Sequence, residues 1–164
     1  MSKHDKPGKS DEWYTPARIF NAMGVRFDLD VAHPGLDRVD WTPADAVITA
    51  GSLEAPWSDF IWMNPPFGGR NGIVPWLNKF FAHGNGVALT PDRVSAPWWH
   101  DAAAKADLVL IIRGKPAFLD ADLVPQKSPP QGVTLMAAGP RGVEALLNAE
   151  RNGLGLLWQK AIAA

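Results

Sequence analysis

The sequence predicts an α/β fold in which a mostly parallel sheet carries helices on its faces. Two observations support this prediction. Apolar runs of strand length alternate with segments of helical length between residues 59 and 113, and strands that alternate with helices are typical of a parallel sheet covered by helices. The last of these strands is continuously apolar up to Arg113, as expected of a strand that is buried on both faces.

Length and composition limit the domain organisation. The chain has 164 residues, of which 46% are hydrophobic and 20% are charged. This length is sufficient for one sizeable core and too short for two ordinary ones, and the composition argues against global disorder. We therefore expect a flexible polar tail over residues 1–10 and a single domain over residues 11–164.

The first third of the chain is predicted to contain one helix and two strands. Pro16 suits the first turn of a helix that begins after Thr15, and Gly24 suits its end. Residues 33–58 are rich in Pro, Gly, Asp and Ala, and most of them are expected to form loops. The predicted elements are a helix over Arg18 to Met23, a strand over Phe27 to Ala32 and a short strand over Ala46 to Thr49.

From residue 59 onward, apolar periodicity defines the elements. Prolines within Asp120 to Gly132 argue against regular structure in that segment, and Leu154 to Ala164 is expected to pack on the domain or fray. The predicted elements are strands over 59–63, 87–90 and 108–113, helices over 74–82 and 97–106, later strands at Phe118 and 133–138, and a closing helix over 140–150.

The four residues Asn64, Pro65, Pro66 and Phe67, here called the tetrad, are the most informative stretch of the chain. They follow an apolar strand, and ligands of open α/β sheets bind outside the carboxyl ends of the strands. The Asn64 side-chain oxygen and the Pro65 carbonyl can both accept hydrogen bonds from one flat amine, with its lone pair directed at an electrophile. The prolines stiffen this loop, and Phe67 can stack on the amine-bearing group.

The tetrad resembles the Asp/Asn/Ser-Pro-Pro-aromatic motif of amino-group methyltransferases. That motif serves adenine, cytosine and glutamine methylation, so alone it indicates the reaction and leaves the substrate open. An isolated Asn-Pro-Pro is also compatible with a rigid turn at the end of a strand.

A longer set of segments resembles the phage-type DNA adenine N-6 methyltransferases (Dam). The resemblance covers roughly residues 11 to 138 and depends on the order of the segments. It implies a Rossmann-like methyltransferase fold with helices on both faces and antiparallel strands late in the chain. The segments are Asp11 to Pro16, Phe27 to Ala32, Trp57, Trp62 to Phe67, Pro75 to Lys79, Leu89 to Asp92, Trp98 to His100 and Ile112 to Phe118.

The resemblance also implies a site for S-adenosylmethionine as the methyl donor. Asp30, at a strand end beside Ala32, is expected to hold the donor's ammonium, and Thr15 with its backbone is expected to hold the carboxylate. The usual glycine-rich turn is replaced here by Asp30 to Gly35, and Gly51-Ser52 stands where family members often have an acid or amide. The predicted donor-binding residues are Tyr14, Thr15, Pro16, Asp30, Ala32 and Asn64.

DNA is the expected substrate and partner, although the formal net charge of −1 gives little help with phosphate binding. An enzyme of this type would flip the adenine out of the duplex and stack it on Phe67. The predicted DNA-binding residues are Arg70, Arg113, Lys115 and Lys127. No protein partner is predicted. Methylation of cytosine N-4, RNA adenine or protein glutamine remains open, as does a non-catalytic phage DNA-binding module.

Other features concern location and metals. The chain has no cysteine, which excludes a disulfide framework and a thiolate metal site. The four histidines lack ligand spacing and amine methylation needs no metal, so none is predicted. Without a leader or long apolar span, we expect a cytoplasmic protein. The resemblance to phage-type enzymes implies a phage or prophage origin and a link to protection from restriction.

Overall fold

The computed structural model describes residues 13–69, 71–127 and 131–160. The described residues form one mixed sheet of seven strands and four α-helices. The strands are β1 (Phe27–Asp30), β2 (Ala44–Val47), β3 (Ile61–Met63), β4 (Gly86–Pro91), β5 (Leu108–Ile112), β6 (Val133–Ala138) and β7 (Gly155–Trp158). The helices are α1 (Ala17–Met23), α2 (Val74–His83), α3 (Pro97–Lys105) and α4 (Gly139–Arg151).

The sheet has the strand order β2-β1-β3-β4-β6-β5-β7. β1, β2, β3 and β4 pair in parallel, whereas β6 pairs antiparallel with both β4 and β5, and β7 pairs antiparallel with β5. Three pairings are parallel and three are antiparallel, so the prediction of a mostly parallel sheet is not confirmed. The reason is the connection between β5 and β6: its described residues contain no helix, and a parallel neighbour normally requires a crossover helix.

Helices cover both faces of the sheet, as expected. α1 and α4 pack on one face with Phe27 and Val87, and α2 and α3 pack on the other face with Leu29 and Ala88. Successive side chains of a strand point to opposite faces, so the adjacent β4 residues Val87 and Ala88 lie in different core layers. β4 and β6 are buried along their whole length.

Helix ends agree closely with the sequence prediction. α1 ends at Gly24, whose φ of 62° is the left-handed conformation that glycine tolerates, and its N–H bonds the Phe20 carbonyl. A proline also lies in the first turn of α2, α3 and α4, where its missing N–H has no intrahelical partner to lose.

Two predictions near the end of the chain need correction. The strand predicted at Phe118 is absent from the described residues, where Leu119 instead forms isolated bridges with Tyr14 and Pro125. The segment expected to pack or fray contains the edge strand β7. A side chain at Gly155 would collide with the Ile111 backbone, so glycine permits this close strand approach. The predicted tail at 1–10 and residues 161–164 lie outside the described residues.

The parallel strands bring their carboxyl ends to one edge of the sheet. The Asp30 carbonyl accepts the Ile48 N–H at 2.8 Å beyond β2, and the Val31 N–H donates to the Trp62 carbonyl of β3 at 3.0 Å. Tyr14 exchanges backbone hydrogen bonds with Leu119, which draws the N-terminal segment and the loop after β5 together. No helix among the described residues is long and apolar enough to cross a membrane.

Candidate active site

The tetrad begins directly after β3, and its asparagine is oriented by two neighbours. The half-buried Asn64 donates from Nδ2 to the Thr15 hydroxyl at 3.0 Å and to the Trp13 carbonyl at 3.4 Å. A backbone carbonyl can only accept, so the amide nitrogen must face Trp13. The Asn64 Oδ1 atom has no hydrogen bond to any residue that the structure describes, and it remains an available acceptor.

The rest of the tetrad lines the same cavity as Asn64. Phe67 is half-buried and packs against both core layers at their edge. Part of its side chain is therefore held by the core, and part remains accessible to a ligand. The chain then turns sharply: Gly68 has a φ of 60°, and a side chain at Gly72 would lie 2.6 Å from the Phe67 carbonyl oxygen. Arg70, within this turn, lies outside the described residues.

The cavity has a volume of about 410 Å³, which is in the range of small-molecule sites. Segments from the N-terminal region, the ends of the parallel strands and the loop after β5 form its walls. Its polar lining residues include Tyr14, Thr15, Asp30, His33, Arg38, Thr42, Thr49, Ser52, Asn64, Gln126 and Gln131, and its apolar lining residues include Trp13, Phe20, Ala32, Ile48, Trp62, Pro65, Pro66, Phe67, Trp76, Phe118 and Val133.

Asp30 is a buried acid in this cavity. Its side chain is 4% exposed, and its Oδ1 accepts the Ala32 N–H at 3.0 Å. Burial raises the pKa of Asp30 to about 7, and the Ala32 hydrogen bond opposes this shift without cancelling it. We therefore expect Asp30 to bind a cationic group, because a bound cation would favour the ionised form of the carboxyl group.

His33 is a lining residue that sequence reasoning considered only as a metal ligand. Its side chain is 3% exposed, and its Nδ1 accepts the Gly35 N–H at 3.0 Å. Its Nε2 is buried and has no hydrogen-bond partner among the described residues. Burial lowers the pKa of His33. The only sequence signal that His33 lies in the cavity was its position just past the end of β1.

A second feature missed from the sequence is the support of the turn over residues 51–55. Lys79, on α2, donates from Nζ to the carbonyls of Ser52, Leu53 and Ala55 at 2.8, 2.9 and 2.5 Å. Its ammonium also lies 4.6 Å from the centre of the Trp57 ring. Desolvation lowers the pKa of Lys79, with the charge of Glu54 opposing that shift.

Ser52 is the residue of this turn that reaches the cavity. It is buried, and the Trp57 Nε1 donates to both its carbonyl and its hydroxyl oxygen at 2.9 and 3.1 Å. Its hydroxyl proton is still available to donate. A contact from Ser52 to a ligand at this wall would therefore be made by a hydroxyl.

The N-terminal segment forms another wall. The Thr15 carbonyl accepts the Trp41 Nε1 proton at 2.9 Å, and Arg38 donates to the Tyr14 hydroxyl at 3.4 Å. Tyr14 and Thr15 line the cavity, whereas Pro16 is absent from its described lining and instead precedes α1 with a φ of −66°. Pro16 thus acts on the site by fixing the direction of the backbone after Thr15.

Three of the four predicted DNA-binding cations belong to the described residues, and these three lie outside the lining of the cavity. Arg113, Lys115 and Lys127 are exposed and are absent from its described lining. They flank Phe118 and Gln126, which do line it and are joined by the Gln126 N–H and the Phe118 carbonyl at 2.9 Å. Among the described residues, no three His, Cys, Asp or Glu side chains cluster as a metal site would require.

Comparison with known proteins identifies the family. The family model described as DNA N-6-adenine-methyltransferase (Dam) matches residues 2–137, which is most of the 164-residue chain. The chain belongs to this family, and the resemblance inferred from its segments is confirmed. No curated protein and no solved structure matches the chain.

Proposed function

We propose that this member of the Dam family transfers a methyl group from S-adenosylmethionine to the N6 amine of adenine in DNA. The observation that carries the proposal is the orientation of Asn64. Its amide nitrogen is engaged by Trp13 and Thr15, so its oxygen is the atom left to accept from the substrate amine. An acceptor that is fixed before substrate binds favours the transition state without further reorganisation.

The part of the cavity lined by Thr15, Asp30 and Ser52, here called the donor half, fits S-adenosylmethionine in charge and polarity. Asp30 suits the ammonium of its amino-acid portion, because a buried carboxylate with one hydrogen bond gains most from a cation. The Thr15 hydroxyl accepts from Asn64 and keeps its own proton for a carboxylate. When bound, this donor supplies an electrophilic methyl group.

The acceptor half provides for the flat base. Phe67 offers a partly supported ring on which adenine can stack, while Asn64 Oδ1 and the Pro65 carbonyl accept the two protons of its amine. This arrangement turns the amine's lone pair away from the ring system and toward the methyl group. Since the amine of a paired base is out of reach of a cavity, the adenine has to be flipped out of the duplex.

The proposal extends to domain organisation and setting. One sheet spans β1 to β7, which supports a Rossmann-like catalytic domain over residues 11–164. The resemblance to phage enzymes supports a phage or prophage protein that acts on DNA in the bacterial cytoplasm. Protection from restriction would follow if the methylated sites coincide with those of a nuclease.

The decisive experiment combines the full chain with unmethylated DNA and donor carrying a labelled methyl group. After digestion to nucleosides, the label is expected in N6-methyladenine, and mapping of the modified sites gives the recognition sequence. Label in N4-methylcytosine would contradict the choice of adenine. An absence of donor binding by the folded protein would contradict the enzymatic proposal altogether.

A further inference from the structure

We propose that the Nε2–H group of His33 donates a hydrogen bond to a ribose hydroxyl oxygen of the bound methyl donor. This inference rests on the proposed function and deepens it, because it assigns a contact for the nucleoside part of the donor. It concerns a residue that touches the ligand and takes no part in the chemical step.

The hydrogen bond from Gly35 determines which ring nitrogen of His33 carries the proton. The Gly35 N–H donates to Nδ1 at 3.0 Å, and a nitrogen that accepts carries no proton of its own. Burial lowers the pKa of His33, so the ring is neutral near pH 7. The proton of the neutral ring is therefore on Nε2, which makes this atom a donor.

This donor has no hydrogen-bond partner among the described residues. The His33 side chain is 3% exposed and lines the cavity, and Nε2 makes no hydrogen bond to any residue in the described part of the chain. Buried polar groups are nearly always paired in folded proteins. A ligand oxygen in the cavity would supply the hydrogen-bond partner that the described residues do not.

The position of His33 selects the nucleoside part of the donor. The His33 N–H bonds the Ile48 carbonyl at 3.0 Å, so the residue is fixed on the β2 side of β1. Asn64 follows β3, on the opposite side of β1. A donor with its methyl group near Asn64 and its ammonium at Asp30 directs its nucleoside toward β2, and the oxygen acceptors nearest its sulfur on that side are those of the ribose.

Two substitutions separate the ligand contact from the internal turn. In His33→Asn the side-chain oxygen replaces Nδ1 as the acceptor for Gly35, but no donor reaches the position of Nε2. In His33→Gln the amide nitrogen replaces Nε2, but the acceptor for Gly35 is lost. Thermal unfolding of both variants without ligand measures how much stability each substitution costs the protein.

The binding probes are S-adenosylhomocysteine and 5′-methylthioadenosine, which lacks the amino-acid portion but keeps the ribose. By calorimetry, His33→Asn is expected to bind both probes roughly tenfold more weakly than the unsubstituted chain, and His33→Gln within about threefold of it. Unchanged affinity in His33→Asn, equal losses in both variants, or a loss in His33→Gln alone would overturn the proposal.

The same probes test the ribose assignment and isolate it from the proposed function. If His33→Asn lost affinity for S-adenosylhomocysteine alone, the contact would be to the carboxylate of the amino-acid portion, and the ribose assignment would be overturned. If the unsubstituted chain bound neither probe, the proposed donor, and with it the enzymatic function, would be contradicted before any variant was compared.

Discussion

At the scale of residues, three polar side chains of the cavity are each held through one atom and keep another atom available to a ligand. Asn64 is held through its nitrogen, His33 through Nδ1, and Asp30 through the Ala32 N–H. Side chains whose orientation is already determined lose little freedom when a ligand arrives. The cavity is therefore preorganised by contacts that the protein makes with itself.

Asn64→Ala removes the acceptor proposed for the amine and should lower the rate of methyl transfer by roughly 100- to 1,000-fold, the usual effect of losing one preorganised hydrogen-bonding group. Donor affinity should stay within a few fold, because Asp30 and the Thr15 hydroxyl, the proposed contacts to the donor's amino-acid portion, are both retained. Single-turnover transfer and calorimetric binding measure the two quantities. Asn78→Ala, at an exposed position on α2, is the matched control, and retained turnover in Asn64→Ala would contradict the assigned role.

Asp30→Asn should stabilise the protein without ligand, and the gain should depend on pH. The pKa of Asp30 is raised from 3.8 to about 7 in the folded state, so between these values the folded protein holds a proton that the unfolded chain releases. The free energy of unfolding therefore falls as the pH rises from about 4 to 7, by an amount on the order of 4 kcal/mol, and does not recover above pH 7. The variant lacks this loss, so the difference in unfolding free energy should grow across that window.

Urea denaturation of both proteins from pH 4 to 9 measures this difference. The Asn side chain can still accept from the Ala32 N–H, so the strand end should be preserved. A difference that does not vary with pH would show that Asp30 does not titrate as a buried acid. The same variant should bind the donor more weakly, since it cannot pair with an ammonium.

The residues recovered from the sequence and those missed differ in the kind of signal they leave. Asn64 directly follows the apolar strand β3 and Asp30 is the last residue of β1, and the carboxyl ends of strands are where ligands of open α/β sheets bind. Lys79 matters because the fold brings it close to the carbonyl of Ser52, and His33 matters because its buried ring lines a cavity built from distant segments. No local periodicity reports a bond between a helix and a distant turn.

At the scale of elements, helices were predictable to within one or two residues, while strand neighbours were not. Capping prolines and glycines are local signals, as at Gly24, whereas pairing depends on contacts far apart in sequence. β6 lies between β4 and β5; its almost continuously apolar sequence favours a buried strand but does not reveal which strands it pairs with. The insertion nevertheless places Val133 in the cavity lining, so the topology contributes to the site.

α2 supports the cavity through Lys79, and Lys79→Met should release the turn over residues 51–55. Methionine keeps much of the side-chain length but removes three hydrogen bonds to carbonyl oxygens and the contact with Trp57. Because Ser52 lines the donor half, KM for the donor should rise roughly tenfold. The kcat at saturating donor and KM for DNA should be unchanged, as the tetrad is untouched.

Steady-state kinetics with each substrate varied in turn separates these quantities. Lys105→Met, at an exposed position near the end of α3, is the matched control and should behave as the unsubstituted chain. A fall in kcat without a change in KM for the donor would contradict a positioning role for Lys79 in the donor half.

At the scale of the whole molecule, the site is assembled from segments that are distant in sequence. Thr15, Asp30, Asn64 and Gln126 line one cavity because three parallel strands end together and the loop after β5 bridges back to Tyr14. Folding of the complete sheet is thus a condition for the site. For this reason the local motifs of the site can be recognised in the sequence, whereas the full set of residues that line the cavity cannot.

The distribution of charge leads to a prediction about DNA binding by the whole protein. The net charge is −1, so attraction to the phosphate backbone must come from local cations and not from an overall positive field. Arg113 and Lys127 are exposed, and in the sequence they stand on either side of Phe118 and Gln126, which line the cavity. Each phosphate contact contributes close to one unit to the dependence of log affinity on log salt concentration.

Arg113→Gln and Lys127→Gln should therefore each weaken duplex binding almost equally for all sequences and reduce the salt slope by about one. Arg26→Gln is the control, because Arg26 precedes β1 at the opposite edge of the sheet and pairs with Asp45. Fluorescence anisotropy with a labelled duplex between about 50 and 200 mM salt measures the slopes. Equal slopes for all three variants and the unsubstituted chain would exclude the border of the cavity as the phosphate-binding surface, since a cation that touches phosphate cannot be removed without releasing fewer counterions.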